Sequence, residues 1–223
     1  MIATRPVLAD WARTVVMVWD MRLLLTSLLA VCLSLPLVGD EKKDFEATKV
    51  SAMGGDAEAQ FSLGVMYNEG ERVPQDGKEA EKWWRKAAEQ GHAKAQFNLG
   101  VVYDKGIGVL EDDKEAVKWF RKAAEQELAK AQCALGLMYG DGEGVPQDYK
   151  EAVEWYRKAA EQGFVEAQCL LGGYYSGLEP EGVLEDLATA WAWFNIAAAN
   201  GMKEANHALF VLAINTEITP EQI

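Results

Sequence analysis

From Gly55 onward the apolar positions repeat at two scales, the turn of a helix and a longer period of 36 residues. Ala59, Leu63 and Tyr67 fall at i, i+4 and i+8, one stripe of a helix predicted over residues 56–69. Ala80, Trp83, Trp84, Ala87 and Ala88 follow i, i+3, i+4, i+7, i+8, a broader stripe on a second helix. The pair of helices then recurs. Residues 55–90, 91–126 and 127–162 form three units of equal length, residues 163–200 a fourth with two extra loop residues, and residues 201–223 a partial fifth.

Several columns are the same in all four full units. In the first helix they are Leu63, Leu99, Leu135 and Leu171, each followed by glycine (Gly64, Gly100, Gly136, Gly172), and Tyr67, Tyr103, Tyr139 and Tyr175. In the second they are Trp83, Trp119, Trp155 and Trp193, each followed by another aromatic, then Ala-Ala pairs starting at Ala87, Ala123, Ala159 and Ala197. Gly70, Gly106 and Gly142 mark where the first helix stops in the left-handed conformation. Asp76, Asp112 and Asp148, each with Glu three residues on, predict capping boxes that start the second. One hairpin alone cannot cover its aromatic stripe, whereas a stack covers each stripe with the next unit. The pattern therefore predicts an all-α fold, an αα-hairpin solenoid (superhelix), with the small residues letting helices approach closely.

Departures from the pattern are few. Glu127 stands where Gly55, Gly91, Gly163 and Gly201 stand, which predicts either a strained left-handed residue or a locally longer helix. The loop from Ser176 to Gly182 carries the two extra residues. Phe45 to Met53 aligns with the second half of a unit, so residues 40–54 are expected to form an N-terminal half-repeat cap. Met202 to Ala213 is expected to be the first helix of a fifth unit. Thr219-Pro220-Glu221-Gln222 has the form of a helix start, which makes 201–223 an incomplete C-terminal cap.

Residues 1–39 have a different composition. The uncharged run from Leu23 to Val38 follows Arg22 and precedes Gly39-Asp40-Glu41-Lys42-Lys43, the layout of a secretory signal. It is shorter than the roughly 20 residues of a spanning helix, and Pro36 interrupts its end, so no stable membrane insertion is expected after signal removal. Asp10 and Asp20 do not suit a signal, whereas Met21-Arg22 opens one, which makes Met21 the expected start of translation. Leu29-Ala30-Val31-Cys32 is a poor lipidation site because Val31 is not small. Export predicts a periplasmic or secreted protein.

The formal charge of −13 lies after Asp40. Such a surface repels phosphate backbones and anionic lipids, so no nucleic-acid partner is expected; a protein partner of basic character suits it better. Cys133 and Cys169 occupy one column on adjacent units, about 8–10 Å apart by helix packing, beyond disulfide reach, and are expected as buried free thiols. No HExxH, CxxC, GxSxG or phosphate-binding loop is present, and His92 and His207 are the only histidines. His92 is expected at a helix start on the surface, and His207 packed or end-exposed. No catalytic residue, metal ligand or cofactor is expected.

Gln60-Phe61-Ser62-Leu63-Gly64-Val65-Met66-Tyr67, the spacing Gly-x-x-Val-x-x-Asp from Gly70 to Asp76, and Trp83-Trp84-Arg85-Lys86-Ala87-Ala88-Glu89-Gln90 resemble the Sel1-like repeat, over about 160 residues. A tetratricopeptide array would have a 34-residue period and a different loop. The resemblance implies an αα-superhelix used as an adaptor or scaffold, often outside the bacterial cytoplasm. It also brings in cysteine-rich relatives associated with penicillin binding and weak β-lactamase activity, which carry a disulfide in each repeat. This chain lacks those cysteines, and it has no Ser-x-x-Lys and no Lys-Thr-Gly.

A holding function needs a variable face on a constant frame. Positions flanking the first-helix stripe vary: Glu58, Lys94, Lys130 and Glu166; Ser62, Asn98, Ala134 and Leu170; Met66, Val102, Met138 and Tyr174. Of these, Lys94, Asn98, Val102, Lys130, Ala134, Met138, Leu170 and Tyr174 are the candidate partner-binding residues, with Leu170 and Tyr174 as apolar anchors. Binding of cell-wall glycan or peptidoglycan is the alternative.

Overall fold

The computed structural model describes residues 38–177 and 186–216. Residues of the expected signal up to position 37, most of the lengthened fourth loop, and the 219–222 helix start lie outside the described residues. The chain divides into two units, residues 1–47 and 48–223. Of the first, only the opening turns of α1 (Val38–Met53) are described.

The second unit carries the solenoid. First helices of the repeats are α2 (Ala57–Glu69), α4 (Ala93–Lys105), α6 (Ala129–Asp141) and α8 (Val165–Tyr175). Second helices are α3 (Gly77–Glu89), α5 (Asp113–Glu125), α7 (Tyr149–Glu161) and α9 (Leu187–Ala199), and α10 (Lys203–Thr216) follows them. From α2 onward each helix packs chiefly against its neighbours in sequence, the nearest-neighbour architecture of a repeat protein.

The helix ends follow the sequence with one correction. Gly70, Gly106 and Gly142 close the first helices at φ 71°, 63° and 75°. Asp76, Asp112, Asp148 and Asp186 cap the second helices through their carboxylates. The returning half of the capping box is not made. The cap N–H of Asp76, Asp112, Asp148 and Asp186 donates to the carbonyl of Tyr67, Tyr103, Tyr139 and Tyr175, at 2.9, 2.9, 2.8 and 3.0 Å. That frees the following glutamates for other partners: Glu79 and Glu115 take Lys82 and Lys118, and Glu151 takes the indole of Trp155.

The constant glycines face the second aromatic of each pair. A Cβ on Gly64 would lie 2.5 Å from Trp84, on Gly100 2.5 Å from Phe120, on Gly136 2.7 Å from Tyr156 and on Gly172 2.6 Å from Phe194. Those four rings are the deepest aromatics, 1–4% exposed. The constant tryptophans are shallower, since Trp83 and Trp119 are 7% exposed and Trp155 and Trp193 are half-buried. The close approach is therefore helix to ring rather than helix to helix.

Two polar ladders tie the repeats. Gln60, Gln96, Gln132 and Gln168, all buried, donate to the carbonyls of Ala52, Ala88, Ala124 and Ala160, and accept from Gln90, Gln126, Gln162 and Asn200. Each buried amide is thereby satisfied. Ala52 stands in the Ala88 column, so the end of α1 plays the part of a second helix. Arg85, Arg121 and Arg157 donate to the hydroxyls of Tyr103, Tyr139 and Tyr175 one repeat on. At the last boundary both members change together, to Asn195 and Ala213.

Glu127 takes the strained alternative, with φ 61°. Arg72 is the second non-glycine residue at positive φ, 67°, where the next repeats have Gly108 and Gly144. Those two glycines are sterically required: a Cβ would lie 2.6 Å from the Gly77 backbone or 2.4 Å from that of Asp113, at the start of the preceding second helix.

Candidate protein-binding face

Turn geometry decides which first-helix positions reach solvent. Positions i, i+4, i+7 and i+11 share one side of a helix. Starting from Glu58, Lys94, Lys130 and Glu166, this gives the stripes Glu58-Ser62-Val65-Glu69, Lys94-Asn98-Val101-Lys105, Lys130-Ala134-Leu137-Asp141 and, on the shorter α8, Glu166-Leu170-Gly173. The outer members are exposed, the inner ones half-buried, and Leu137 is 43% exposed.

Three of the sequence-nominated residues are not on this face. Val102, Met138 and Tyr174 are 0%, 4% and 6% exposed. They lie seven residues after Ala95, Ala131 and Ala167, hence on the buried stripe. Tyr174 is no free anchor, because its ring sits 5.5 Å from that of Tyr156 and 6.1 Å from that of Tyr149. The column that does turn outward is one residue earlier, Val65, Val101, Leu137 and Gly173, and sequence reasoning passed over it. The signal was available: those residues stand seven after Glu58, Lys94, Lys130 and Glu166. Lys94 and Lys130 are exposed, and Asn98, Ala134 and Leu170 are half-buried.

The stripe changes chemistry from repeat to repeat. It is acidic at both ends in the first, basic in the second, mixed in the third, and largely apolar in the fourth. One acidic cluster lies around the loop between α6 and α7. Exposed Glu143 is held above its ordinary carboxyl range, first by desolvation and then by Asp141, Asp113, Asp104 and Glu111. Asp104 is likewise raised, mainly by burial, with Asp113 adding to it. A uniformly basic partner is not what the stripe itself calls for.

The remaining candidate chemistry is engaged in structure. His92 caps α4, its Nδ1 accepting the Ala95 N–H at 3.1 Å while Nε2 meets Glu58 at 3.0 Å and the ring stacks on Phe61 at 4.7 Å. The sequence placed it at this helix start without recognising the cap. His207 is exposed. Cys133 and Cys169 are free; Cys133 is buried, and burial, with Glu166 adding to it, pushes its thiol up to about 12. Cys169 is half-buried and its thiol is also raised by burial. Among the described residues no group of three His, Cys, Asp or Glu side chains is placed to hold a metal ion, and no helix is long and apolar enough to cross a membrane.

Four consecutive stretches, residues 57–92, 93–128, 129–164 and 165–202, match the Sel1 repeat family. The chain belongs to the Sel1 repeat family. Its solenoid is similar to that of c5321 from uropathogenic Escherichia coli, described as a protective antigen displaying an SLR fold, with 40% identity and a TM-score of 0.69 over 72% of this chain and 34% of that one. It is similar also to a Sel1 repeat protein from Oxalobacter formigenes, with 42% identity and a TM-score of 0.66 over 70% of this chain and 61% of that one. This Sel1 repeat chain thus spans about a third of the first relative and three fifths of the second. A putative Sel1 repeat protein from Klebsiella pneumoniae shares the fold at 21% identity and a TM-score of 0.50, over 78% of this chain and 86% of that one. No curated protein matches the sequence.

Proposed function

We infer that this Sel1 repeat protein is a non-catalytic scaffold of the bacterial cell envelope that holds a protein partner on the exposed stripe of its first helices. The observation that carries the reading is the contrast between frame and stripe. Leucine, glycine, tyrosine and the buried glutamines keep their identity from repeat to repeat, while the outward residues change from acidic to basic to apolar. A frame that fixes four helices in register while the residues they present differ suits reading an extended protein surface. Leu137 and Leu170 supply apolar contact, and Lys94, Lys105 and Lys130 supply charge.

Holding rather than turnover is supported by the candidate nucleophiles and bases. Burial keeps Cys133 protonated, and both ring nitrogens of His92 are engaged. The envelope location is supported by the run from Leu23 to Val38, and agrees with the description of the E. coli relative as a protective antigen. The test compares the wild-type chain with the double variant Lys94→Glu and Lys130→Glu in the native host, recovering bound proteins from the periplasm by mass spectrometry. The reading expects one protein retained by the wild type and lost from the variant. Equal recovery with both chains contradicts it.

A further inference from the structure

The second helices carry a separate feature, on α5. Its residues Lys114, Val117, Lys118, Arg121 and Lys122, together with Gly144 and Val145 from the next repeat, line a groove of about 510 Å3, within the roughly 300–1,000 Å3 range of ligand pockets. Trp119 also lines it, with the Lys122 ammonium 3.9 Å from the centre of its ring. In a chain of net charge −13 the lining itself carries four cations against the carboxylates of Glu115 and Glu125, with Asp113 and Glu143 flanking its loop end.

Arg121 is the residue that distinguishes the second repeat from the first and third. All three ladder arginines donate to a tyrosine hydroxyl one repeat on. Arg85 is also paired with Glu81 at 2.5 Å, and Arg157 with Glu154 at 2.8 Å. Arg121 has no carboxylate partner among the described residues. The sequence explains why: Glu81 is replaced by Val117 and Glu154 by Lys118, so the second repeat carries neither acid. Glu115 is taken by Lys118 at 2.5 Å, and Glu125 pairs with no cation among the described residues, as is also true of its counterparts Glu89 and Glu161.

We propose that this groove binds an acidic segment of a protein partner, one of whose carboxylates pairs with Arg121 in the place that Glu81 fills within the first repeat. A planar guanidinium with an open edge suits a carboxylate. Buried Val117 and half-buried Val145 receive the methylenes of the acidic side chain, and Lys114 and Lys122 surround its charge. The site is distinct from the first-helix stripe. It shares no residue with that stripe.

The first repeat supplies the test. Val117→Glu builds into α5 the carboxylate that α3 already carries, so the variant fills the proposed site from within. Binding of fluorescein-labelled hexaglutamate is followed by fluorescence anisotropy at low ionic strength, with hexaglutamine and a hexanucleotide of single-stranded DNA as comparisons. The expected result is a dissociation constant raised at least tenfold by Val117→Glu and severalfold by the exposed substitution Lys114→Gln. Hexaglutamine and the oligonucleotide should bind at least tenfold more weakly than hexaglutamate. Lys203→Gln, the same change at an exposed lysine of α10 outside both sites, should leave the affinity unchanged, which separates loss of this site from loss of one positive charge. The proposal is overturned if wild type does not bind hexaglutamate, if Lys114→Gln binds as tightly as wild type, if a folded Val117→Glu does, or if the oligonucleotide binds equally well.

Discussion

Glu151 accepts the indole N–H of Trp155 at 3.1 Å, while one repeat earlier Glu115 is held by Lys118 at 2.5 Å and the buried indole N–H of Trp119 has no partner. The difference traces to one column, which is Lys82 and Lys118 in the first two repeats and Glu154 in the third. Trp83 is orphaned in the same way as Trp119. A buried donor without an acceptor costs about 1–3 kcal/mol, whereas exposed ion pairs contribute little. Lys118→Ala releases Glu115 to reach the indole. Its melting temperature is expected at or above that of wild type, and a clear drop in a calorimetric scan contradicts this.

Gly100 tests the packing of helix on ring. Its Cβ would stand 2.5 Å from Phe120, which has no room to move. Gly100→Ala should cost about 1–3 kcal/mol by overpacking, and Phe120→Ala about 3–5 kcal/mol by cavity formation. Because the two residues share one contact, the double variant should be less destabilised than the sum of the singles. Chemical denaturation of all four chains measures this, and additive losses contradict direct contact.

Glu127 offers a gain. Its backbone sits at φ 61°, a conformation costing an L-residue about 1–2 kcal/mol, and the same column is glycine in the other repeats. Glu127→Gly gives back part of that to unfolded-state entropy, leaving an expected stabilisation of about 0.5–1 kcal/mol. A denaturation midpoint unchanged or lowered would show that the strain is relieved by other means.

Cys133 makes stability depend on alkaline pH. Burial raises its folded pKa to about 12, while an unfolded thiol ionises near 8.5. Above that value the unfolded chain sheds a proton that the folded chain keeps, so folding stability falls as pH rises toward 12. The stabilisation is fully present below the unfolded pKa. Between pH 9 and 10 wild type should lose roughly 1 kcal/mol more than Cys133→Ala. Parallel curves for the two chains contradict the assignment.

How much was legible in the sequence depended on what repetition could expose. Columns such as Leu99, Gly100 and Tyr103 recur at a fixed period, so the hairpins, their ends and their order were readable from the chain alone. What each constant residue touches was not. Gly100 reads as a helix-helix contact until the Phe120 ring is placed beneath it, and the second half of the capping box gave way to the Tyr103 carbonyl because that acceptor comes from a different helix. The face was misread by one residue. Val102, Met138 and Tyr174 vary as surface positions do, yet they vary inside a core that tolerates different shapes, whereas the column one residue earlier reaches solvent, partly at Val101 and openly at Leu137. The vacancy beside Arg121 needed the structure, since only geometry shows that Glu81 and Glu154 reach the same guanidinium column from different positions.

The holding function is tested most directly by a photoactivatable residue placed at Leu137, on the exposed stripe, and compared with the same residue at Glu161, exposed on α7. Irradiation in cells followed by mass spectrometry should give one protein adduct from position 137, abolished by Lys94→Glu with Lys130→Glu, and none from position 161. No adduct from position 137, or the same adduct from both positions, would contradict a partner held on the first-helix face.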